Sequence, residues 1–332
     1  MKKTWKMAAA AVMVSAAMMG MALGAQAEET KDGLKKVTVI LDYVPNTNHT
    51  GMYVALDKGY YEEEGLDVEI IEPTDGATAT LIAQQKGTFG ISYQEDVTIA
   101  LTSEDPLPIK AVATILQHNT SGFVSLADSG IESPADFEGK TYAGWGGPGE
   151  SAVLEACMTQ AGADFSKLNI VISDGTGFEA LGKSCDIMWF FEGWDNIIAA
   201  MNGCELNYME LRQLDERLDY YTPVIITSDA VIEEDPEMVS AFLRATARGY
   251  QDAIDDPDAA AELLYAHVPD YDKEMLKKSQ EYLADKYMED TDTWGLMKDE
   301  VWDNYASFLK EYGVISEVLP ASDCYTNEFL GQ

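Results

Sequence analysis

The chain has 332 residues, of which 46% are hydrophobic and 24% are charged, and its formal net charge is −36. This acidic excess argues against nucleic acid and anionic membranes as partners, because both carry charge of the same sign. The acidic residues are scattered among apolar periodic segments, which predicts a globular protein with one large lobe or two smaller lobes.

The first 27 residues have the pattern of a cleaved export signal. Lys2, Lys3 and Lys6 precede an apolar run, and Ala25-Gln26-Ala27 matches a signal-peptidase site. The alternative is an N-terminal membrane anchor, but the apolar run at 7–23 is shorter than the roughly 20 residues that cross a bilayer. No cysteine lies near the junction, so we predict a periplasmic or otherwise extracytoplasmic protein without a lipid anchor.

Strand and helix patterns alternate after the signal. The predicted strands are 37–41, 66–71 and 89–92, and the predicted helices are 50–57 and 77–86. This order builds a parallel sheet, because right-handed crossovers bring the ends of its strands to one side. The polar or aromatic strand ends are 42–43, 73–76 and 93–96.

The same alternation then begins again, which predicts a second α/β lobe. The strands are 140–143, 168–172 and 186–190, with helices at 151–161 and 178–183 and strand ends at 144–149, 173–177 and 191–195. The amino-acid sequence also repeats in part, since "KGTFGISYQEDVTIA" in the first half is similar to "GKSCDIMWFFEGWDNIIAA" in the second.

Two extended segments, "ILQHNTSGFVSLADSGI" and "YYTPVIITSDAVI", suit strands that cross between the lobes. Two crossings predict a hinge. We therefore place lobe 1 at 35–121 and 223–332 and lobe 2 at 122–222. Four helical segments after residue 235 are expected to pack on lobe 1.

The stretch "LDYVPNTNHTGMYVALDKGYYEEEGLDVEI" carries the motif D-[WY]-x-P-N-x-x-H, and "WFFEGWDNI" carries E-G-W. With these motifs the chain resembles the solute-binding proteins of ABC importers that capture the pyrimidine precursor of thiamine. The resemblance implies a two-lobed periplasmic-binding-protein-like fold of type II, hinge closure on a small heterocycle, and importer permease subunits as partners. Other relatives bind riboflavin, alkanesulfonates or nitrate, so these ligands remain alternatives.

A flat aminopyrimidine offers donors and acceptors around its edge and π-faces above and below. Aromatic rings can therefore stack on it while carboxylates and amides contact its edge. The aromatic candidates are Tyr43, Tyr93, Trp189 and Trp194. The polar candidates are Asp42, Asn46, Gln94, Glu95 and Glu192.

Several candidates have a competing interpretation. Trp189 lies inside an apolar strand, which favours core packing. Glu192 follows "IMWFF" at the mouth of a buried strand, and we expect it to face the ligand because a buried carboxylate without a partner is costly. His49 either contacts the ligand or supports the loop.

The loop "GWGGPGE" at 144–150 precedes a predicted helix, so its backbone amides could hold an anion. It lacks the phosphate-binding pattern that ends in Gly-Lys-Ser/Thr. The resemblance places this loop beside the cleft, which makes Gly146, Gly147 and Glu150 candidates. An ordinary strand-to-helix turn is the favoured alternative.

An enzyme is the competing class of function. His49 corresponds to a histidine that the related fungal pyrimidine synthase uses as a substrate. The synthase's Cys-rich motif is absent, and export separates the protein from cytoplasmic cofactors, so we predict a binding protein without a cofactor. The sensory domain of a receptor is a third alternative.

The cysteines and histidines are too dispersed to predict a metal site. They stand at Cys157, Cys185, Cys204 and Cys324, and at His49, His118 and His267. Cys185 and Cys204 flank a predicted strand and helix, so they could form a disulfide at the base of lobe 2. Its loop of about 20 residues would stabilise the fold by about 3 kcal/mol.

Overall fold

The computed structural model describes residues 33–73 and 77–331. The predicted export signal and residues 74–76 of one predicted strand end lie outside this part. The strands are β1 Lys35–Ile40, β2 Leu66–Ile71, β3 Phe89–Ser92, β4 Ile109–Thr114, β5 Ser121–Leu126, β6 Thr141–Gly144, β7 Asn169–Ile172, β8 Ile187–Phe191, β9 Leu206–Glu210 and β10 Val224–Ser228.

The α-helices surround these strands. They are α1 Thr50–Asp57, α2 Tyr60–Glu63, α3 Thr78–Ala83, α4 Gln94–Leu101, α5 Pro148–Gln160, α6 Ile197–Met201, α7 Leu211–Leu214, α8 Asp229–Glu234, α9 Pro236–Asp255, α10 Pro257–His267, α11 Lys273–Ala284, α12 Asp299–Glu311 and α13 Ala321–Cys324. A π-helix, Glu192–Asn196, follows β8 directly.

Local sequence patterns predicted many bounds correctly. Helix α1 and strands β2 and β3 begin and end where expected. The predicted helix 77–86 is shorter, because Gln85 takes a positive φ of 56° and turns the chain out of the helix. The predicted helix 178–183 is wrong, since the chain forms only a short 3-10 turn at Gly177–Ala180.

Each lobe contains one mixed sheet of five strands. The first sheet has the order β2-β1-β3-β10-β4, and the second has the order β7-β6-β8-β5-β9. In the first sheet β1 is parallel to β2 and β3, whereas β10 is antiparallel to both of its neighbours. In the second, β6 is parallel to β7 and β8, and β5 is antiparallel to β8 and β9. The predicted two-lobed α/β fold is confirmed.

The connections between the sheets differ from the prediction. The two extended runs expected to cross between lobes are β5 and β10, and each stays within one sheet because it pairs with a strand on both sides. Residues 115–120 and 211–223 make the crossings, and the second includes α7 and a 3-10 helix, Glu216–Leu218. The predicted lobe bounds and the hinge stay predictions.

Helix α9 buries its apolar face on the first sheet, as expected. On α9, Phe242 stacks on Phe89 of β3 and Tyr61 of α2, with ring centroids 4.0 and 5.4 Å away. Helix α12 extends the packing to the other lobe, since Tyr305 and Phe308 share a buried cluster with residues of the second sheet. This helix therefore ties the two lobes together.

The predicted disulfide is wrong, because Cys185 and Cys204 are both free thiols. They precede β8 and β9, which are parallel to each other and separated by β5. Two strand spacings are about 9.6 Å, whereas disulfides need Cα atoms within about 7 Å. Within the described residues, no helix is long and apolar enough to cross a membrane, and no cluster of His, Cys, Asp and Glu could hold a metal ion.

Candidate functional site

A cleft with two adjoining compartments lies where strand ends of the two sheets face each other. The first compartment has a volume of about 320 Å³ and is lined by Asp42, Tyr43, Asn46, Thr47, Asn48, Tyr93, Thr120, Phe191, Gly193, Trp194, Asp195, Thr222, Pro223 and Leu283. The second has a volume of about 510 Å³ and is lined by Tyr43, Tyr93, Glu95, Asp96, Trp145, Trp189, Phe191, Tyr220 and Thr222. Both volumes suit small organic ligands.

The loop after β1 is held by its own polar side chains. Asn46 caps the short 3-10 helix Thr47–His49 by accepting a hydrogen bond from the Asn48 N–H at 2.9 Å. The buried His49 ring accepts from the Asn46 N–H through Nδ1 at 3.2 Å. Its Nε2 therefore carries the proton and donates to Asp42 Oδ1 at 2.8 Å. His49 thus positions Asp42 and does not line either compartment.

Asp42 joins the loop to the next strand end. Its Oδ2 accepts a hydrogen bond from the Tyr93 hydroxyl at 2.6 Å, in addition to the bond from His49. Burial raises the pKa of the Asp42 carboxyl, but these donors outweigh burial and hold the pKa below its usual value. The carboxylate is therefore ionised and fixed at the wall of the first compartment.

The cleft is acidic throughout. Desolvation within the cleft raises the pKa values of Glu95, Asp96 and Asp195, and the charge of Asp42 adds to the effect at Asp96, although the Asp96 side chain remains exposed at the second compartment. Among the lining residues of both compartments, all from the described part of the chain, there is no Lys, Arg or His. This arrangement favours a neutral or positively charged solute and disfavours an anion.

Three large aromatic side chains are exposed at the cleft. Tyr43 is 62% exposed, Trp145 is 55% exposed and Phe191 is 36% exposed. Such rings usually bury most of their surface, so their exposure here marks a surface that a ligand can cover. Trp189 lies behind Trp145, with ring centroids 5.0 Å apart and planes at 62°. The cleft therefore presents several aromatic side chains.

Comparison with known proteins identifies the family. A model of the family described as "NMT1/THI5 like" matches residues 46–260. The chain belongs to the NMT1/THI5-like family.

Three curated relatives are similar over most of their length. A formylaminopyrimidine-binding protein of Halalkalibacterium halodurans is 27% identical and covers 89% of this chain and 91% of the relative. A 4-amino-5-hydroxymethyl-2-methylpyrimidine phosphate synthase of Legionella pneumophila is 25% identical, with 89% and 92% covered. A riboflavin-binding protein of Chloroflexus aurantiacus is 25% identical, with 92% and 89% covered.

A solved structure shows the same fold. The periplasmic aliphatic sulphonate-binding protein of Escherichia coli superposes with a TM-score of 0.69 at 12% identity, and the match covers 89% of this chain and 98% of that one. At this identity the likeness concerns the fold alone. It confirms the periplasmic-binding-protein architecture expected from the sequence.

The cleft brings together seven of the predicted site residues: Asp42, Tyr43, Asn46, Tyr93, Glu95, Trp189 and Trp194. The others line neither compartment: His49, Gln94, Gly146, Gly147, Glu150 and Glu192. Ligand contact by the first group stays a prediction for this NMT1/THI5-like chain, and so does ligand contact by the second group, whose members have other partners in this structure.

Glu192 lines neither compartment of the cleft. Its Oε2 accepts a hydrogen bond from the Tyr282 hydroxyl of α11 at 2.7 Å, so the carboxylate has a partner in the other lobe. The π-helix that begins at Glu192 instead places Asp195 at the first compartment, where its Oδ2 accepts from the Phe191 N–H at 3.0 Å. Asp195 is therefore a further carboxyl candidate near this strand end, beside the predicted Glu192.

The remaining polar candidates serve the fold. Buried Gln94 accepts from the Tyr221 N–H at 2.8 Å and donates to the Val301 carbonyl at 3.1 Å. Buried Glu150 accepts from the N–H groups of Trp145 and Gly146, at 3.1 and 2.6 Å. The loop amides predicted to hold an anion are thus occupied by the chain's own carboxylate.

Sequence reasoning missed residues of two kinds. Asp96, Trp145, Phe191 and Asp195 lie within the predicted strand ends, but nothing in the pattern distinguished them from their neighbours. Thr120, Tyr220 and Thr222 lie in or beside the crossings. Position within a predicted strand end could have indicated the first group. The second group depends on how the two lobes meet.

Proposed function

We propose that this chain is the extracytoplasmic solute-binding protein of an ABC importer and that it captures an aminopyrimidine precursor of thiamine in the first compartment. The observation that carries the proposal is a cleft whose lining, among the described residues, consists largely of aromatic rings and carboxyls and includes no cationic side chain. The H. halodurans relative, named for formylaminopyrimidine binding, supports the same class of solute.

The lining fits the chemistry of an aminopyrimidine. Tyr43 and Trp194 offer aromatic faces for stacking, and Trp194 is held edge-on against Tyr271 at 5.5 Å. The Asp195 carboxylate can accept a hydrogen bond from an exocyclic amine. The first compartment, at about 320 Å³, is close to the lower limit for organic ligands, which suits a single substituted ring.

The alternative solutes fit less well. A sulfonate or nitrate would enter a negative field without a positive partner, so its desolvation would go uncompensated. Riboflavin has three fused rings and would have to occupy both compartments at once. We therefore place both below an aminopyrimidine.

Binding fits the position of His49 better than catalysis does. A histidine consumed as a substrate must leave its site, but this ring is fully buried and bonded to Asp42 and to the Asn46 N–H. We propose that His49 is a supporting residue of a binding protein. Incubation with pyridoxal phosphate and iron checks this, and loss of His49 in a peptide map would assign a synthase instead.

The transport role completes the proposal. The export signal at 1–27 would deliver the protein outside the cytoplasm, and closure of the lobes around the solute would present it to the permease subunits. Small-angle scattering with and without solute should show contraction, and identical curves at saturation would reject closure.

Calorimetric titration tests the choice of solute. Purified protein is titrated with 4-amino-5-hydroxymethyl-2-methylpyrimidine, its formylaminomethyl analogue, riboflavin and an alkanesulfonate. We expect at least one pyrimidine to bind with one-to-one stoichiometry and at least about a hundredfold more tightly than the sulfonate, a difference of about 2.7 kcal/mol. Preference for the sulfonate or riboflavin would refute the proposal.

A further inference from the structure

The second compartment has a composition that an aminopyrimidine alone does not explain. Its lining consists of six aromatic residues, two carboxyls and one threonine: Tyr43, Tyr93, Trp145, Trp189, Phe191, Tyr220, Glu95, Asp96 and Thr222. The compartment adjoins the first but has its own carboxyls and its own tryptophans. We therefore expect the second compartment to accommodate a different chemical group from the one in the first.

The aromatic walls favour a positive charge. The face of an aromatic ring carries negative electrostatic potential, so a cation within about 6 Å of the ring centre is attracted to it. The ring centroids of Trp145 and Trp189 are 5.0 Å apart, and their ring planes are inclined to each other by 62°. Trp145 is 55% exposed, and its surface is available to a bound group.

The two carboxyls have different surroundings. Glu95 accepts a hydrogen bond from the Tyr305 hydroxyl at 2.6 Å and lies against the backbone of Gly149 in the other lobe. Asp96 is exposed at the compartment and has no hydrogen-bond or ion-pair partner among residues 33–73 and 77–331. Two neighbouring carboxyls repel each other, and a bound cation would relieve that repulsion.

We propose that the second compartment binds an organic cation, a substituted or quaternary ammonium group held by the aromatic walls and by the charge of Asp96. The inference rests on the proposed function in one respect. If both hold, the captured solute is a heterocycle that also carries a positively charged nitrogen. A neutral substituent would gain the apolar contact but leave Asp96 without a partner.

The test uses a pair of probes that differ in charge alone. Choline and 3,3-dimethylbutan-1-ol have the same shape, but only choline is charged. Calorimetric titration of the full-length mature protein should show choline binding about tenfold or more tightly than the neutral alcohol. Equal affinity for the two probes, or no choline binding, would overturn the inference.

Variants assign the binding to the compartment. Asp96→Asn and Trp145→Ala should each weaken choline binding at least about fivefold. Asp105→Asn is the matched control, because it removes the same charge at an exposed turn outside both compartments. Circular dichroism melts confirm that each variant is folded. A loss in the control equal to that in Asp96→Asn would mean that net charge alone attracts choline, which would overturn the inference.

A competition experiment separates this inference from the proposed function. Choline should still bind when 4-amino-5-hydroxymethyl-2-methylpyrimidine saturates the first compartment. If the pyrimidine binds but choline does not, the cation site is refuted and the proposed function stands. If choline binds but no pyrimidine does, the proposed function fails and the cation site stands.

Discussion

Asp42→Asn should destabilise the protein strongly, because it breaks the network that holds the cleft loop. The carboxylate accepts from His49 Nε2 at 2.8 Å and from the Tyr93 hydroxyl at 2.6 Å, and its side chain is only 8% exposed. An asparagine offers one oxygen and one NH₂ group, so one of the two buried donors then faces the N–H donor of the amide. The variant loses one hydrogen bond to a charged group and leaves a buried donor unsatisfied.

The magnitude follows from these two effects. A hydrogen bond to a charged group contributes about 1.5–3 kcal/mol, and a buried unsatisfied donor costs about 1–3 kcal/mol. Because the two effects overlap, we expect the free energy of unfolding to fall by about 2–4 kcal/mol at neutral pH. Urea unfolding followed by tryptophan fluorescence measures this change. Tyr93→Phe is the partial control, since it removes only one donor and should cost less.

The effect should depend on pH with a defined sign. The pKa of Asp42 is lower in the folded state than its ordinary value of about 3.9. Its stabilisation is therefore fully present above that value and is lost as the pH falls through the lower, folded-state pKa. The difference between the native protein and Asp42→Asn should persist at pH 5–7 and shrink below about pH 4. A variant as stable as the native protein at pH 7 would refute the assignment of Asp42 as the centre of this network.

Three further changes test the geometry of the cleft. Glu192→Gln should change pyrimidine affinity less than threefold, whereas Asp195→Asn should weaken it about tenfold. The reason is that, of these two residues, only Asp195 lines the first compartment. Calorimetry measures both affinities, and the reverse order would restore Glu192 as the ligand residue. Asp96→Asn should raise the melting temperature at neutral pH, because desolvation within the cleft and the charge of Asp42 raise the pKa of this carboxyl, so its charge is unfavourable in the folded state. A lower melting temperature would contradict this. Gly193→Ala should weaken every cleft solute, because a Cβ there would stand 2.8 Å from the Tyr282 ring of α11; unchanged affinity would show that this contact does not control closure.

The sequence by itself determined much of the secondary structure and the class of fold. Helix α1 and strands β2 and β3 appear with their predicted bounds, because period and β-branched composition act locally. The cleft also follows from the alternation of strands and helices, which fixes the side of each sheet where the strand ends lie. Asp42, Tyr43 and Tyr93 could be found in this way, because each lies within three residues of the end of a strand.

Tertiary structure alone decided which side chains line the cleft. Glu192 and Asp195 both follow the same strand, but only Asp195 lines the first compartment, while Glu192 accepts a hydrogen bond from Tyr282 of α11. Thr120 and Thr222 reach the cleft because the crossings bring both lobes together there. Cys185 and Cys204 stay apart because β5 lies between their strands. Each outcome depends on contacts between residues far apart in the chain, which a local pattern does not encode.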